Sequence, residues 1–217
     1  MSPRPRMSSD EDLLAATHRV VSRVGPNLTL SDVAREAGVS AATLVQRFGS
    51  KRALLLAFVS SATGATAAQF AHISAMHPDP LDALREVVRC YALMAPTPAA
   101  VSNALAFLQV DLSDPEFHTH AHTQAKDTLR ELRRLLDAAV AAKRLRPTDT
   151  RRLARALHAI IGGSMVAWGV LREGAAEKWM LTDVATLLAP YEITAAPRGT
   201  RRRRTRRSGA ATASAGR

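Results

Sequence analysis

TLSDVAREAGVSAATLVQRF, residues 29–48, is the stretch on which the reading of this chain turns. Thr29 and Asp32 stand three apart ahead of an apolar run. That is the spacing of a capping box, in which an N-cap hydroxyl and an acid three residues on satisfy backbone N–H groups reciprocally. The spacing predicts a short helix over 30–37. Gly38 then breaks the pattern, and Ser40 can cap a second short helix over 41–48. Val33 and Ala37 share one face of the first helix, and Leu44 and Phe48 share one face of the second. Ala34 is small where one helix must pass close to another, and Gly38 tolerates the positive φ that a tight turn needs. Two short helices with inward apolar faces and a glycine between them make a helix-turn-helix.

Away from that core, Thr43, Gln46 and Arg47 lie at i, i+3 and i+4 on the opposite face of the second helix, with Ala41 and Ala42 at its start. Small and polar residues there let a recognition helix enter the major groove closely. Arginine suits guanine, glutamine suits adenine, and an Ala or Thr methyl can touch the thymine methyl. The plainer reading of the same face is a solvated helix surface. Lys51 and Arg52 follow in the first turn of the next predicted helix, where a cation opposes the helix dipole by about 0.3–1 kcal/mol. A DNA phosphate at that helix start would reverse the sign, whereas a solvated lysine costs little. Thr29 reads first as a cap.

The rest of the chain is helical in pattern. Leu13, Ala16, Val20, Val21 and Val24 recur at helical spacing until Gly25-Pro26. After Ser50, a further cap, one long helix is predicted from Lys51 to about Ala75. Pro, Gly and Asp-rich breaks then delimit helices near 81–94, 98–111, 115–144, 149–172 and 175–188. No strand alternation competes, so the fold class expected is all-α. Four units are expected: a basic arm over 1–9, a helix-turn-helix domain over 10–52, a larger helical domain over 53–196, and a disordered Arg-rich tail over 197–217.

Composition agrees. The chain has 217 residues, 47% of them apolar and only 4% aromatic, so its core must be built from Ala, Leu and Val. These counts favour helix. The net charge of +11 is uneven. Eight arginines and no acid lie in 198–217; subtracting those eight from 30 basic residues leaves 22 against 19 acids in the remainder. The basicity therefore describes the tail more than the folded part. The tail could add salt-sensitive, sequence-independent DNA affinity. Cys90 is the one cysteine, so no internal disulfide can form, which fits a reducing cytoplasm. The uncharged stretches 53–77 and 156–171 read as helices packed in protein rather than membrane spans, and no membrane partner is expected. No Gly-rich phosphate loop, nucleophile elbow or convergent metal set is present, so neither an enzyme, a cofactor nor a metal is expected. His118 and His122 are i, i+4, but His120 between them points elsewhere, and apart from Glu116 and Asp114 no acid or Cys nearby in sequence could complete a ligand set.

Residues 12–59 closely resemble the N-terminal domain of TetR-family transcription regulators. The resemblance rests on Asp32-Val33-Ala34, Ala37-Gly38-Val39-Ser40, Thr43-Leu44, Phe48 and Ser50-Lys51, and "AWGVLREGAAEKWMLTDVATLLAPY" resembles the last two helices of many members. It implies a sequence-specific DNA-binding regulator, a repressor released from a near-palindromic double-stranded operator by a small-molecule effector. It places Thr29, Ser40, Ala41, Ala42, Thr43, Val45, Gln46, Arg47 and Lys51 at the DNA, with Lys51 on a phosphate. Val45 stands where the family commonly has a phosphate-contacting Tyr, and Arg47 where a His is common, so Arg47 can read a base or clamp a phosphate. The helices near 149–172 and 175–188 are implied to form a homodimer interface, with Gly162-Gly163 permitting close approach. Phe70, Tyr91, Met94, Phe107 and Trp168 are the bulky candidates for the effector wall, and a wall of Ala, Leu and Met suits an apolar or amphipathic effector. Two rival readings are a nonspecific nucleic-acid binder driven by the tail and a helical ligand carrier.

Overall fold

A computed structural model of the protein describes residues 9–193, so residues 1–8 of the basic arm and the Arg-rich tail over 197–217 lie outside the described residues. Ten α-helices follow in order: α1 Asp10–Val24, α2 Leu30–Ala37, α3 Ala41–Phe48, α4 Lys51–Ala62, α5 Ala65–Met76, α6 Pro80–Met94, α7 Pro98–Ser113, α8 Pro115–Ala141, α9 Thr150–Leu171 and α10 Ala176–Leu188. Their only β element among the described residues is an isolated bridge, Leu145 to Glu192, which ties the end of α10 to the α8–α9 turn. The all-α expectation holds.

Local chemistry sets the helix starts. Ser9 caps α1: Asp12 N–H donates to Ser9 Oγ at 3.1 Å, and Ser9 N–H donates to Asp12 Oδ2 at 2.9 Å. Ser9 thus belongs to the first helix rather than to the arm. Thr29 and Asp32 form the expected box on α2, with Asp32 N–H donating to Thr29 Oγ1 at 3.2 Å and Thr29 N–H donating to Asp32 Oδ2 at 2.9 Å. The Thr29 hydroxyl and backbone N–H hold the Asp32 carboxyl below the usual carboxylate range, with Arg35 adding to the effect. Gly38 ends α2 at φ 70°, and Val39 N–H closes the turn on the Ala34 carbonyl at 3.0 Å. No neighbour would crowd a Cβ at Gly38, so the backbone conformation is what calls for glycine there.

The helix expected over 51–75 is two. The Thr63 hydroxyl donates back to the Val59 carbonyl at 2.8 Å, and Thr63 N–H is shared between the Val59 and Ser60 carbonyls. Gly64 then starts α5 without a side-chain cap. Ser60, Ser61, Thr63 and Gly64 are weak helix formers whose hydroxyls compete for backbone groups. No proline marks the break, which is why periodicity alone reads through it.

Two main cores result. The larger joins α6, α8, α9 and α10 through Leu84, Val88, Leu132, Leu136, Leu157 and Met180. The other unites α1 to α4 through Leu13, Val20, Val33, Leu44 and Leu54, and it also takes in Phe117 from α8, which is 2% exposed. Burying a side chain of that size is worth about 1.5–3 kcal/mol. Gly169 lets α7 approach α9, since a Cβ there would stand 3.0 Å from Val101 Cγ1. By length and composition alone, α9, and α4 with α5 taken together, are apolar enough to cross a bilayer. α9 reaches back to Thr150, beyond the uncharged 16-residue stretch seen in the sequence.

Asp111 on α7 carries the largest carboxylate shift: burial pushes it up to about 6. A folded value above the unfolded one means that stability is lost as pH rises from near 4 through 6. Asp111→Asn is expected to raise the melting temperature at pH 7.5 and leave it unchanged at pH 4, read by circular dichroism. An equal effect at both pH values would show that the carboxylate is not desolvated in the fold.

Candidate nucleic-acid interface and effector cavity

The helix-turn-helix presents the start of α3 outward. Ser40 N-caps it, with Thr43 N–H donating to Ser40 Oγ at 3.1 Å and the two hydroxyls 2.9 Å apart. Ala42 and Gln46 are exposed, and Val45 is 48% exposed. Ala41 and Thr43 are half-buried, and Ala41 packs on the N-terminal core. Thr29 is exposed, but its hydroxyl is engaged in the α2 cap, where it donates to Asp32 Oδ2 at 2.7 Å. The first turns of α1 and α2 carry acids, whereas those of α3 and α4 carry none. No acid in its own first turn compensates the positive end of α3, whereas carboxylates from the start of α8 lie beside that of α4.

Two arginines behave in ways the sequence did not reveal. Arg47 pairs with Asp10 at the start of α1, which places its guanidinium beside the first helix. Arg52 does not need a phosphate to offset the dipole of α4. Its guanidinium donates to both Asp114 oxygens at 2.9 Å, pairs with Glu116, and lies 5.8 Å from the centre of the Phe117 ring. Hydrogen bonds from Arg52 hold the Asp114 carboxyl below the usual range. Lys51, half-buried beside it, has no ion-pair partner among the described residues. The partners of Arg47 and Arg52 are 37 and 62 positions away, beyond any local pattern.

Of the five bulky candidates for an effector wall, three gather. Phe70 of α5 with Tyr91 and Met94 of α6 line a cavity of about 70 Å3 that α8 closes through Gln124. Phe107 lies elsewhere, edge-on to Phe58 and Phe117 in the N-terminal core, because α7 crosses above that core. Trp168 is also elsewhere. It packs with Ala95, Val101 and Ala176, and its indole N–H donates to the Gly174 carbonyl at 3.1 Å. Gln69, Thr66 and Gln124 join the cavity instead, and polar side chains on half-exposed helices gave no signal in the sequence. His118 and His122 stack with ring centres 6.1 Å apart, and no group of three or more metal-ligating side chains occurs among the described residues.

A separate surface lies on α9 and α10. Ala159, Gly162, Gly163, Val166 and Val170 form an exposed stripe on α9, with Val170 75% exposed. A Cβ on Gly162 or Gly163 would meet nothing within 4 Å.

The clamp at Arg52 has a direct test. Arg52→Ala and Arg52→Lys are both expected to lower the melting temperature, because an ammonium cannot reproduce the two-pronged contact with Asp114. An unchanged melting temperature in Arg52→Ala would mean that the clamp does not hold the joint.

Residues 13–58 match the family model described as bacterial regulatory proteins, tetR family. No curated protein matches the chain. Among solved structures, a TetR transcription regulator from Haloarcula marismortui has 16% identity and a TM-score of 0.70, covering 85% of this chain and 98% of that one. SmeT, the repressor of the Stenotrophomonas maltophilia multidrug efflux pump SmeDEF, has 20% identity and a TM-score of 0.62, covering 86% and 92%. The Bacillus subtilis regulator FadR, solved with stearoyl-CoA, has 16% identity and a TM-score of 0.64, covering 83% and 98%. Residues 13–58 thus match the N-terminal helix-turn-helix domain of the tetR family of bacterial regulatory proteins, and the helices that follow share the fold of solved regulators described as TetR.

Proposed function

We propose that this chain is a homodimeric transcription repressor that inserts α3 into the major groove of a near-palindromic operator and leaves it when a small molecule binds the larger helical domain. The observation that carries this reading is the outward start of α3: a capped helix, free of first-turn acids, whose exposed Ala42, Val45 and Gln46 sit within the matched stretch 13–58. Gln46 is the adenine reader, and Val45 and Ala42 meet thymine methyls. Ser40, Thr43 and Ala41 fit the helix start against the backbone, while Thr29 and Lys51 face phosphates. Arg47 reaches the DNA by exchanging Asp10 for a phosphate or a guanine edge.

The homodimer is assigned to α9 and α10. The α9 stripe leaves apolar surface exposed that a second copy would cover, and Gly162 and Gly163 admit a close helix crossing. A two-fold dimer would place its recognition helices roughly 34–36 Å apart for half-sites one turn apart. SmeT is a repressor and FadR is solved with an acyl-CoA, which supports a repressor that answers to a small molecule. Coupling of that kind is typically about 1–3 kcal/mol. A regulator of this kind acts in the cytoplasm, where the chromosome is, and catalysis forms no part of the reading.

The test is binding of the purified protein to its own upstream intergenic DNA against scrambled DNA at about 150 mM salt. Preferential binding is expected. Lys51→Ala weakens it across sequences and reduces the salt slope by about 1. Gln46→Ala costs about 1–3 kcal/mol of discrimination at one base pair. Equal, salt-steep affinity for both DNAs that disappears on deleting 198–217 would contradict the reading and favour the tail-driven alternative, which the run of arginines there supports.

A further inference from the structure

The cavity between α5, α6 and α8 has a definite electrical character. None of its lining residues carries a formal charge. Burial pushes the Cys90 thiol and the Tyr91 phenol up, so both stay protonated at neutral pH. Glu86, one turn from Cys90 and outside the lining, shares Arg89 with Glu177, each pair at 3.1 Å. An ion pressed below the rim, against the buried Phe70 and Ile73, would lose its water and find no counter-charge in the lining, which is strongly unfavourable.

The polar groups present suit a neutral partner. Gln124 offers an amide with two donors and an acceptor, and Gln69 offers what its hydrogen bond with the Cys90 thiol leaves over. Tyr91 Oη stands 3.5 Å from Thr128 Oγ1, a slack contact that a better partner can replace. Phe70 and Ile73, both nearly fully buried, form an apolar floor. A volume of about 70 Å3 holds roughly two waters. Met94 is 61% exposed at the rim, and its unbranched thioether can swing aside to admit more.

We propose that this cavity takes an uncharged molecule with a compact apolar body and a single amide or hydroxyl head, the body resting on Phe70 and Ile73 and the head bridging Gln69 and Gln124. The proposal rests on the effector reading above and names the chemical class of that effector.

The experiment uses the full chain without DNA and four matched probes: benzamide, benzyl alcohol, benzoate and benzylammonium. Binding is measured by titration calorimetry and by the shift in melting temperature at neutral pH, up to millimolar concentrations. Benzamide and benzyl alcohol are expected to bind at least about tenfold more tightly than either ion. Gln124→Glu should turn the preference toward benzylammonium, Gln69→Glu should do the same, and Met94→Trp should block all four. All three substitutions fall on exposed positions at the rim. The proposal is overturned if either ion binds the unaltered protein as tightly as benzamide, or if no probe binds. Binding that ignores all three substitutions also overturns it, because the site would then be elsewhere. Because no DNA is present, a failure here leaves the operator reading standing, and a failure of operator binding leaves this result standing.

Discussion

Phe117 sits under the Arg52 guanidinium at the place where α4 leaves the helix-turn-helix and α8 begins. A side chain from the larger domain thereby completes the core of the smaller one, so the two cores cannot separate without exposing an aromatic ring. The carboxylates of Asp114 and Glu116 hold the other side of the same guanidinium. An exposed ion pair is by itself worth little. Here it is two-pronged and lies over a buried ring, so its weight is in fixing direction: the start of α4 is set by the α7–α8 corner. α7 makes a second attachment, where Asn103 Nδ2 donates to the Arg23 carbonyl at 2.8 Å at the end of α1.

The recognition helix is therefore carried on a frame whose position the larger domain decides. α3 is held on one side by the apolar face of Leu44 and on the other by the pairing of Arg47 with Asp10. The cavity lies on α5, beyond the break at Thr63 and Gly64, and any shift of α5 has to pass that break to reach α4. A shift of α7 or α8 reaches α4 directly through Arg52. The second route has fewer soft links, which makes the α7–α8 corner the stiffer path between the larger domain and α3.

Much of this was legible beforehand. The capping box at Thr29 and Asp32, the turn at Gly38 and the cap at Ser40 are local, and the sequence placed α2 and α3 to the residue. Proline breaks located α6 to α8 for the same reason. What escaped was of two kinds. The division of α4 from α5 turns on competition between hydroxyls and backbone, which carries no periodic mark. The partners of Arg47 and Arg52, the inward turn of Phe107 and the separate packing of Trp168 depend on how helices distant in sequence cross, which helical spacing does not encode. The three cavity residues that did assemble are those on the facing sides of consecutive helices.

The function proposed for this molecule depends on α3 reading sequence as one of a symmetric pair. The most direct measurement is selection from a pool of random duplex DNA by the full-length protein at about 150 mM salt, followed by sequencing of what is retained. Enrichment of a two-fold symmetric site whose halves lie one helical turn apart is expected, and its loss in a variant with Val45 and Gln46 both replaced by alanine. Retained DNA with no common sequence, or a single unpaired half-site, would contradict it.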